Sequence, residues 1–203
     1  MTVFCATSNP GKLREFLLAA RCFAAGQIHI QVLPGLASLP PCAESGSTFQ
    51  ENAAQKALHY SSFASGLVFV DDSGLIVPAL EGQPGIRSAR FAGEGASDAD
   101  NNWLLLEKLA TVQDRRAVFV CVIALAEQGR LLATFQGEVG GIILDQPRGL
   151  GGFGYDPLFF YPPLAATFAE LSPEQKLHVS HRGVALRKMM DFLLANASRP
   201  GLE

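Results

Sequence analysis

The chain carries little charge. Asp, Glu, Lys and Arg make up 17% of its 203 residues, below the ~25% of ordinary soluble domains. Sixteen basic against 19 acidic side chains leave a net charge of −3. With no basic excess to neutralise a run of phosphates, a general nucleic-acid binder is excluded. A polyanionic ligand would have to be met by locally gathered positive charge, helped by a metal. Disorder is excluded too: it needs low hydrophobicity and high net charge, and 48% of the residues are hydrophobic. No apolar run approaches the ~18 residues that span a bilayer, so no membrane partner is expected. The N-terminus has no basic segment leading into a long apolar one, and no signal peptide is read. The four cysteines, Cys5, Cys22, Cys42 and Cys121, form no C-x-x-C and have no His at zinc-finger spacing. They read as free, buried thiols, and the composition as that of a cytoplasmic, soluble protein. Internal repeats, low-complexity tracts and linkers are lacking, so residues 1–203 are expected to form a single domain.

What is present is apolar periodicity interrupted by polar, glycine-rich segments. Val3–Ala6 reads as a short buried strand. The polar turn Thr7–Gly11 follows, then Leu13, Phe16, Leu17 and Ala20 at the spacing of an amphipathic helix. Ile28–Leu33 reads as a strand, Pro34–Ser47 as a loop, and Thr48-x-x-Glu51 as a capping box opening an Ala-rich helix to about Ser62. Leu67–Val70 reads as a strand ending in Asp71-Asp72-Ser73-Gly74, and Gly82–Gly95 as a loop. Ser97-x-x-Asp100 caps a Leu-rich helix, and Val118–Leu125 is a fully buried strand that Gly129 turns into Leu131–Gln136, with Glu138–Leu144 continuing the sheet. Ser172-Pro173 places an N-cap before Pro at the first helical position. The last helix is expected from about Arg182, with Leu186, Met189, Met190 and Leu193 on its apolar face. Helices and strands mix without strict alternation, and 116–144 reads as long antiparallel strands. The fold class is therefore α/β: a single two-lobed domain around a long mixed β-sheet with flanking helices.

Five segments carry chemistry. Thr7-Ser8-Asn9-Pro10-Gly11-Lys12 joins a strand to a helix N-terminus, where free N–H groups and the helix dipole favour an anion; it also reads as an ordinary turn with a surface Lys. It is not a Walker A loop, because position 6 is Ala where that motif needs Gly. Asp71-Asp72 pairs two adjacent carboxylates, which repel unless a cation such as Mg²⁺ is present. Strand alternation would turn one towards a site and let the other brace the turn. Asn52 and Lys56, four apart in an Ala-rich helix, share a face that is either solvated or functional. Gly149-Leu150-Gly151-Gly152-Phe153-Gly154-Tyr155-Asp156 contains a literal G-x-G-x-x-G. A dinucleotide fingerprint must open a helix, whereas an aromatic, Pro-containing stretch follows here. The segment reads as a glycine-rich hairpin or as flexible backbone presenting Phe153 or Tyr155 to a planar ligand. Lys176 with Ser180-His181-Arg182-Gly183 puts basic residues at a helix N-terminus, which the macrodipole disfavours unless a ligand supplies acceptors.

Taken together, these segments suit a nucleoside triphosphate with Mg²⁺. Ser8–Lys12 (SNPGK), Glu44-Ser45-Gly46, Thr48–Ala57 (TFQENAAQKA), Val70–Leu75 (VDDSGL), Pro84–Gly93 (PGIRSARFAG), Gly151–Phe160 (GGFGYDPLFF) and Ser180–Leu186 (SHRGVAL) occur in one order. In these motifs the chain resembles the inosine/xanthosine triphosphate pyrophosphatase family over nearly its whole length. The resemblance implies an ITPase-like fold with the site in a cleft, and a homodimer. It implies Mg²⁺-dependent hydrolysis of ITP, dITP and XTP at the α-phosphorus to the monophosphate and pyrophosphate. Carried onto matching positions, Thr7, Ser8, Asn9, Pro10, Gly11 and Lys12 would bind the triphosphate. Asp72 would be the proton acceptor and a metal ligand, Glu44 a second metal ligand, and Ser73 a substrate contact. Phe153, Gly154, Tyr155 and Asp156 would hold the nucleoside, Lys176, His181 and Arg182 would read the base, and Lys56 and Arg90 would lie near the phosphates. Ala43 precedes Glu44 where some relatives have a second acid, which leaves Glu44 as the one carboxylate of that loop. Hypoxanthine and xanthine carry a C6 carbonyl acceptor where adenine carries an amino donor, so a donor-lined site would discriminate between them. Two alternatives are a Maf-like pyrophosphatase acting on other nucleotides and a non-catalytic nucleotide-binding regulator. The intact Gly151–Asp156 and Ser180–Gly183 segments weigh against the first, and Glu44 with Asp72 against the second.

Overall fold

The structure, a computed structural model, describes residues 1–197. In chain order the elements are β1 (Thr2–Cys5), α1 (Pro10–Ala24), β2 (His29–Val32), α2 (Phe49–Ser61), β3 (Val68–Ile76), α3 (Asp98–Lys108), β4 (Arg116–Glu127), β5 (Arg130–Ile143), β6 (Phe159–Tyr161), β7 (Ala166–Thr167), α4 (Pro173–Val179) and α5 (His181–Asn196). The strands form one seven-stranded sheet in the order β2-β1-β3-β4-β5-β6-β7. It is parallel across β2, β1 and β3 and antiparallel from β3 onward, so the mixed α/β architecture is as the sequence indicates.

Strand alternation sorts the core into layers. Phe69, Cys121, Ile123 and Leu125 face α1 and α5, packing on Phe16, Ala19, Leu186, Met189 and Met190. Val68, Val70, Val120, Val122 and Ala124 face the other way, under Ala53 and Ala57 of α2. A third cluster is built on Leu75, Leu105, Phe119, Ile143, Phe159 and Phe168.

Several sequence expectations change. Asp71–Gly74 does not end a strand: β3 continues through it to Ile76, with Asp71 opposite Ile123 and Asp72 opposite Val122. The long apolar β4 supplies a ladder partner, so polar side chains do not stop pairing. On the opposite side β1 pairs only with Val68 and Phe69, and the crevice opens where that neighbour runs out, at the carboxyl end of a parallel strand. Arg130–Ile143 is one strand rather than two segments. Gly137 does not break it: a Cβ there would lie 2.1 Å from the His181 carbonyl oxygen, so the glycine lets α5 approach the sheet. The 82–95 loop contains a 3-10 helix at Gly85–Arg90. The Thr48 cap is only half a box: Thr48 Oγ1 accepts from Glu51 N, while the Glu51 carboxylate turns to Ser47. Ser97–Asp100 closes a full capping box, and Ser172 caps α4 ahead of Pro173. All four cysteines are free, but only Cys5 and Cys121 are buried; Cys22 is exposed.

Candidate active site

The phosphate-type turn follows β1 directly. Asn9 caps α1, its Oδ1 accepting from Lys12 N at 3.0 Å, and Pro10 occupies the first turn, where no N–H is needed. Thr7 Oγ1 accepts from Asn9 N at 3.2 Å. Ser8, Asn9 and Pro10 are exposed at this N-terminus. Gly11 is buried, and a Cβ on it would lie 2.6 Å from the Phe153 ring. The ring of the glycine-rich segment therefore rests on the first turn of α1.

The two adjacent aspartates diverge to opposite faces of the sheet. Asp71 faces α1 and α5, where Lys12 Nζ lies 2.9 Å from Oδ1 and Arg182 Nε donates to Oδ2 at 3.1 Å. Burial pushes its carboxyl up, but Lys12 and Arg182 outweigh this and hold it well below the ordinary range. Both Asp71 oxygens are thus engaged by cations on this face. Asp72 faces α2, where Lys56 Nζ donates to its Oδ1 at 2.7 Å and to Glu44 Oε1 at 3.1 Å. Arg90 Nη1 donates to the other Glu44 oxygen at 3.1 Å. Burial raises the Asp72 carboxyl above its usual value despite Lys56. At Glu44 the Lys56 and Arg90 cations outweigh burial and lower it. The Asn52/Lys56 face, read as either solvated or functional, is not solvated at Asn52: this side chain is buried and accepts from Gly46 N at 2.9 Å, pinning the loop that presents Glu44.

Among the described residues Asp72 Oδ2 is buried without a hydrogen-bond partner, and no group of three or more His, Cys, Asp or Glu could hold a metal. The donor set at hand is Glu44 and Asp72. Two carboxylates, one with an unengaged buried oxygen, fit a hard divalent cation that keeps its waters and shares substrate phosphates.

On the other face lies a cavity of about 120 Å³, lined among others by Lys12, Ser73, Phe153, Tyr155, His181 and Arg182. Arg182 is buried and donates through Nε to Asp71, through Nη1 to Glu15 at 2.7 Å and through Nη2 to Ser73 Oγ at 2.7 Å. Lys176 pairs with Glu15 at 2.7 Å and with Asp156, and its ammonium sits 4.8 Å from the Phe153 ring centre. Arg182 and Lys176 are thus fixed by carboxylates, and only the N–H groups left over by these bonds can meet a ligand. Asp156 also accepts from Phe153 N at 2.9 Å, so it braces the loop that carries the ring. The Tyr155 hydroxyl is committed to the Ser88 carbonyl at 2.9 Å. His181 stacks on Phe119, ring centres 4.5 Å apart. Burial, then Arg182 and Lys176, push it well below the usual histidine value. Its Nδ1 is buried and unpartnered among the described residues. A groove of about 890 Å³ along α1 and α4 meets this region through Gly11, Glu15, Phe153 and Lys176 but reaches neither Asp72 nor Glu44.

The structure brings Glu44, Lys56, Asp72 and Arg90 together on one face of β3 and gathers Asn9, Lys12, Ser73, Phe153, Gly154, Tyr155, Asp156, Lys176, His181 and Arg182 around the cavity on the other; Gly11 meets the Phe153 ring, whereas Thr7, Ser8 and Pro10 do not line that cavity. The sequence reading missed Glu15, which joins Lys176 to Arg182; its spacing of three from Lys12 on α1 was the available signal. It also missed Ser88, Asp98, Asn101 and Phe119 on the cavity wall.

An α/β sheet with a helix N-terminus, a buried carboxylate pair and a donor-lined cavity at one crevice defines a nucleotide-type cleft. The Ham1 family model matches residues 3–192. Similar proteins include the dITP/XTP pyrophosphatase of Acidobacterium capsulatum, 47% identical over 199 residues and covering 94% of this chain and 97% of the relative. The dITP/XTP pyrophosphatase of Geobacter sulfurreducens is 47% identical, covering 93% and 94% respectively. Among solved structures, the Staphylococcus aureus Ham1 protein superposes with a TM-score of 0.84 at 41% identity, over 97% of this chain and all of that one. The Mycobacterium abscessus nucleoside-triphosphatase / dITP/XTP pyrophosphatase gives 0.72 at 36%, over 93% and 98%. The chain belongs to the Ham1 family.

Proposed function

We propose that this chain hydrolyses the non-standard purine triphosphates ITP, dITP and XTP at the α-phosphorus, yielding the nucleoside monophosphate and pyrophosphate. The observation that carries the reading is Asp72: a buried carboxylate with one oxygen on Lys56 and the other unengaged, next in the strand to Asp71, whose partner Lys12 belongs to a helix N-terminus suited to phosphate. The dITP/XTP pyrophosphatase names of the relatives support the same activity.

In this reading Asp72 orients a water and takes its proton as the oxygen attacks the α-phosphorus. The bond to the β-phosphate bridging oxygen breaks, and pyrophosphate leaves. The N–H groups at the start of α1, with Thr7, Ser8, Asn9 and Lys12, hold the phosphates. Lys56 and Arg90 lie on the side where leaving-group charge develops. Glu44 and Asp72 would hold Mg²⁺, which supplies charge neutralisation on the phosphate oxygens when bound. Phe153, Gly154 and Tyr155 wall the nucleoside cavity, and Ser73 lies at its edge. The remaining donors of Lys176, His181 and Arg182 face the base; a C6 carbonyl accepts from them, and an amino group leaves them unpaired.

The family assignment does not favour the Maf-like alternative, and the Asp72–Lys56–Glu44 chain weighs against a non-catalytic regulator. We further propose that the chain acts as one domain, in the cytoplasm and as a homodimer, without nucleic-acid or membrane partners. Sedimentation showing a monomer at working concentration would refute the dimer. No helix among the described residues is long and apolar enough to cross a membrane. The deciding assay is pyrophosphate release from ITP, dITP, XTP, GTP and ATP, with and without Mg²⁺. The reading expects fast turnover of the first three and none without metal. Equal rates on all five, or release of orthophosphate, would overturn it.

A further inference from the structure

α3 makes contacts that the reaction above does not use. Its first turn is closed by Ser97 and Asp100 in a reciprocal capping box, which leaves Asp98 outside the cap. Asp98 and Asn102 are one turn apart and share a face. They grip both polar atoms of a single residue: Asp98 Oδ2 accepts from Gly154 N at 2.6 Å, and Asn102 Nδ2 donates to Gly154 O at 3.0 Å. Gly154 has φ +60° with open space around its missing Cβ, so no packing holds it in place. Its neighbour Phe153 is the ring that lies against Gly11 and near Lys176. Asn102 Oδ1 is buried and unpartnered among the described residues. An orphaned acceptor costs stability, so Asn102 is not explained by stability alone. The same helix holds the phosphate side, since Asn101 accepts from Ala92 N at 2.9 Å and donates to Ala89 O at 3.3 Å, beside Arg90.

We propose that Asp98 and Asn102 are positioning residues: they lock the Gly154 amide and so hold Phe153 at the mouth of the cavity that receives the nucleoside. The proposal rests on the pyrophosphatase reading for its substrate but not for its geometry. Phe153 would engage the substrate before and during reaction, so losing the grip should act mainly on KM.

The test compares four variants by steady-state kinetics on ITP, thermal melting and amide hydrogen exchange at Gly154. Asp98→Ala and Asn102→Asp are expected to raise KM about tenfold with kcat within about threefold, as for a lost charge-assisted hydrogen bond. Asp98→Asn, which keeps an acceptor, is expected to restore wild-type KM. Asp100→Ala, which opens the capping box but leaves the grip, is expected to lower Tm and leave KM unchanged. Unchanged KM in the first two variants, or an equal rise in Asp100→Ala, would overturn the proposal. Should no purine triphosphate release pyrophosphate, the activity reading falls and Gly154 exchange decides: faster exchange in Asp98→Ala than in wild type supports the grip, and equal exchange refutes it.

Discussion

Asp71→Asn isolates the buried charge cluster on the α1/α5 face. Three cations, Lys12, Lys176 and Arg182, meet three carboxylates, Asp71, Glu15 and Asp156. The substitution preserves shape and removes one negative charge, which leaves the Arg182 guanidinium, 3% exposed, facing an amide. Breaking one partner of a buried pair costs about 3–5 kcal/mol. At about 2–4 °C per kcal/mol for a chain of this size, Tm should fall by roughly 6–20 °C at pH 7. The sign of the pH dependence follows from the depressed carboxyl of Asp71. Its contribution is complete above the unfolded value, near 3.8, and is lost as pH falls towards the folded one. The gap between wild type and variant should therefore shrink by about 1.4 kcal/mol per pH unit below that point. Urea unfolding at pH 7, 4 and 3 measures it. A Tm change under a degree, or a gap constant with pH, would refute the claim that ion pairing at Asp71 holds this face together.

Three further outcomes are expected. Asp72→Asn should bind ITP with near-normal affinity by calorimetry while turnover falls at least about a hundredfold, the range for loss of a general base. Lys56→Met removes the cation that opposes burial at Asp72, so its carboxyl should rise further and the acid limb of kcat/KM should move to higher pH; an unmoved limb would refute the pairing. Gly74→Ala would place a Cβ 2.4 Å from Ser88 Oγ and 2.5 Å from the Gly85 carbonyl oxygen; such overpacking should cost about 1–3 kcal/mol in urea unfolding.

Much of the fold was legible because burial leaves a period in the sequence. The apolar run of β4 needs no partner to be seen, whereas the stripe expected on α1 is partly displaced: Leu17 is 41% exposed, and Leu18 and Ala19 are buried beside Phe16 and Ala20. Asp71–Gly74 was misplaced at a strand end because polarity is read as exposure, whereas in the sheet it marks the point where β1 stops covering β3. The divergence of Asp71 and Asp72 to opposite faces was legible from strand alternation, whereas the partners each meets depended on which helices cover those faces. Glu15 was passed over because an acidic residue on a helix reads as surface, and its partner Arg182 lies 167 residues away. Asp98 and Asn102 act through backbone atoms of Gly154, and sequence does not record which backbone a side chain will hold.

The shortage of charge noted at the outset has a mechanistic consequence. Lys12, Lys56, Arg90, Lys176 and Arg182 are each already paired with a carboxylate. These cations are fixed in place, but the clusters they form are close to neutral and offer an incoming triphosphate little net attraction. The N-terminus of α1 adds only about half a positive charge. Turnover of a triphosphate should therefore depend on a divalent cation even though every basic side chain of the site is in position. Nucleoside recognition, if it rests as proposed on the ring of Phe153 and on directed donors rather than on net charge, should survive chelation. Calorimetry with inosine monophosphate in EDTA tests that separation: binding retained while ITP turnover is abolished supports it, and loss of both would show that the metal also builds the nucleoside pocket.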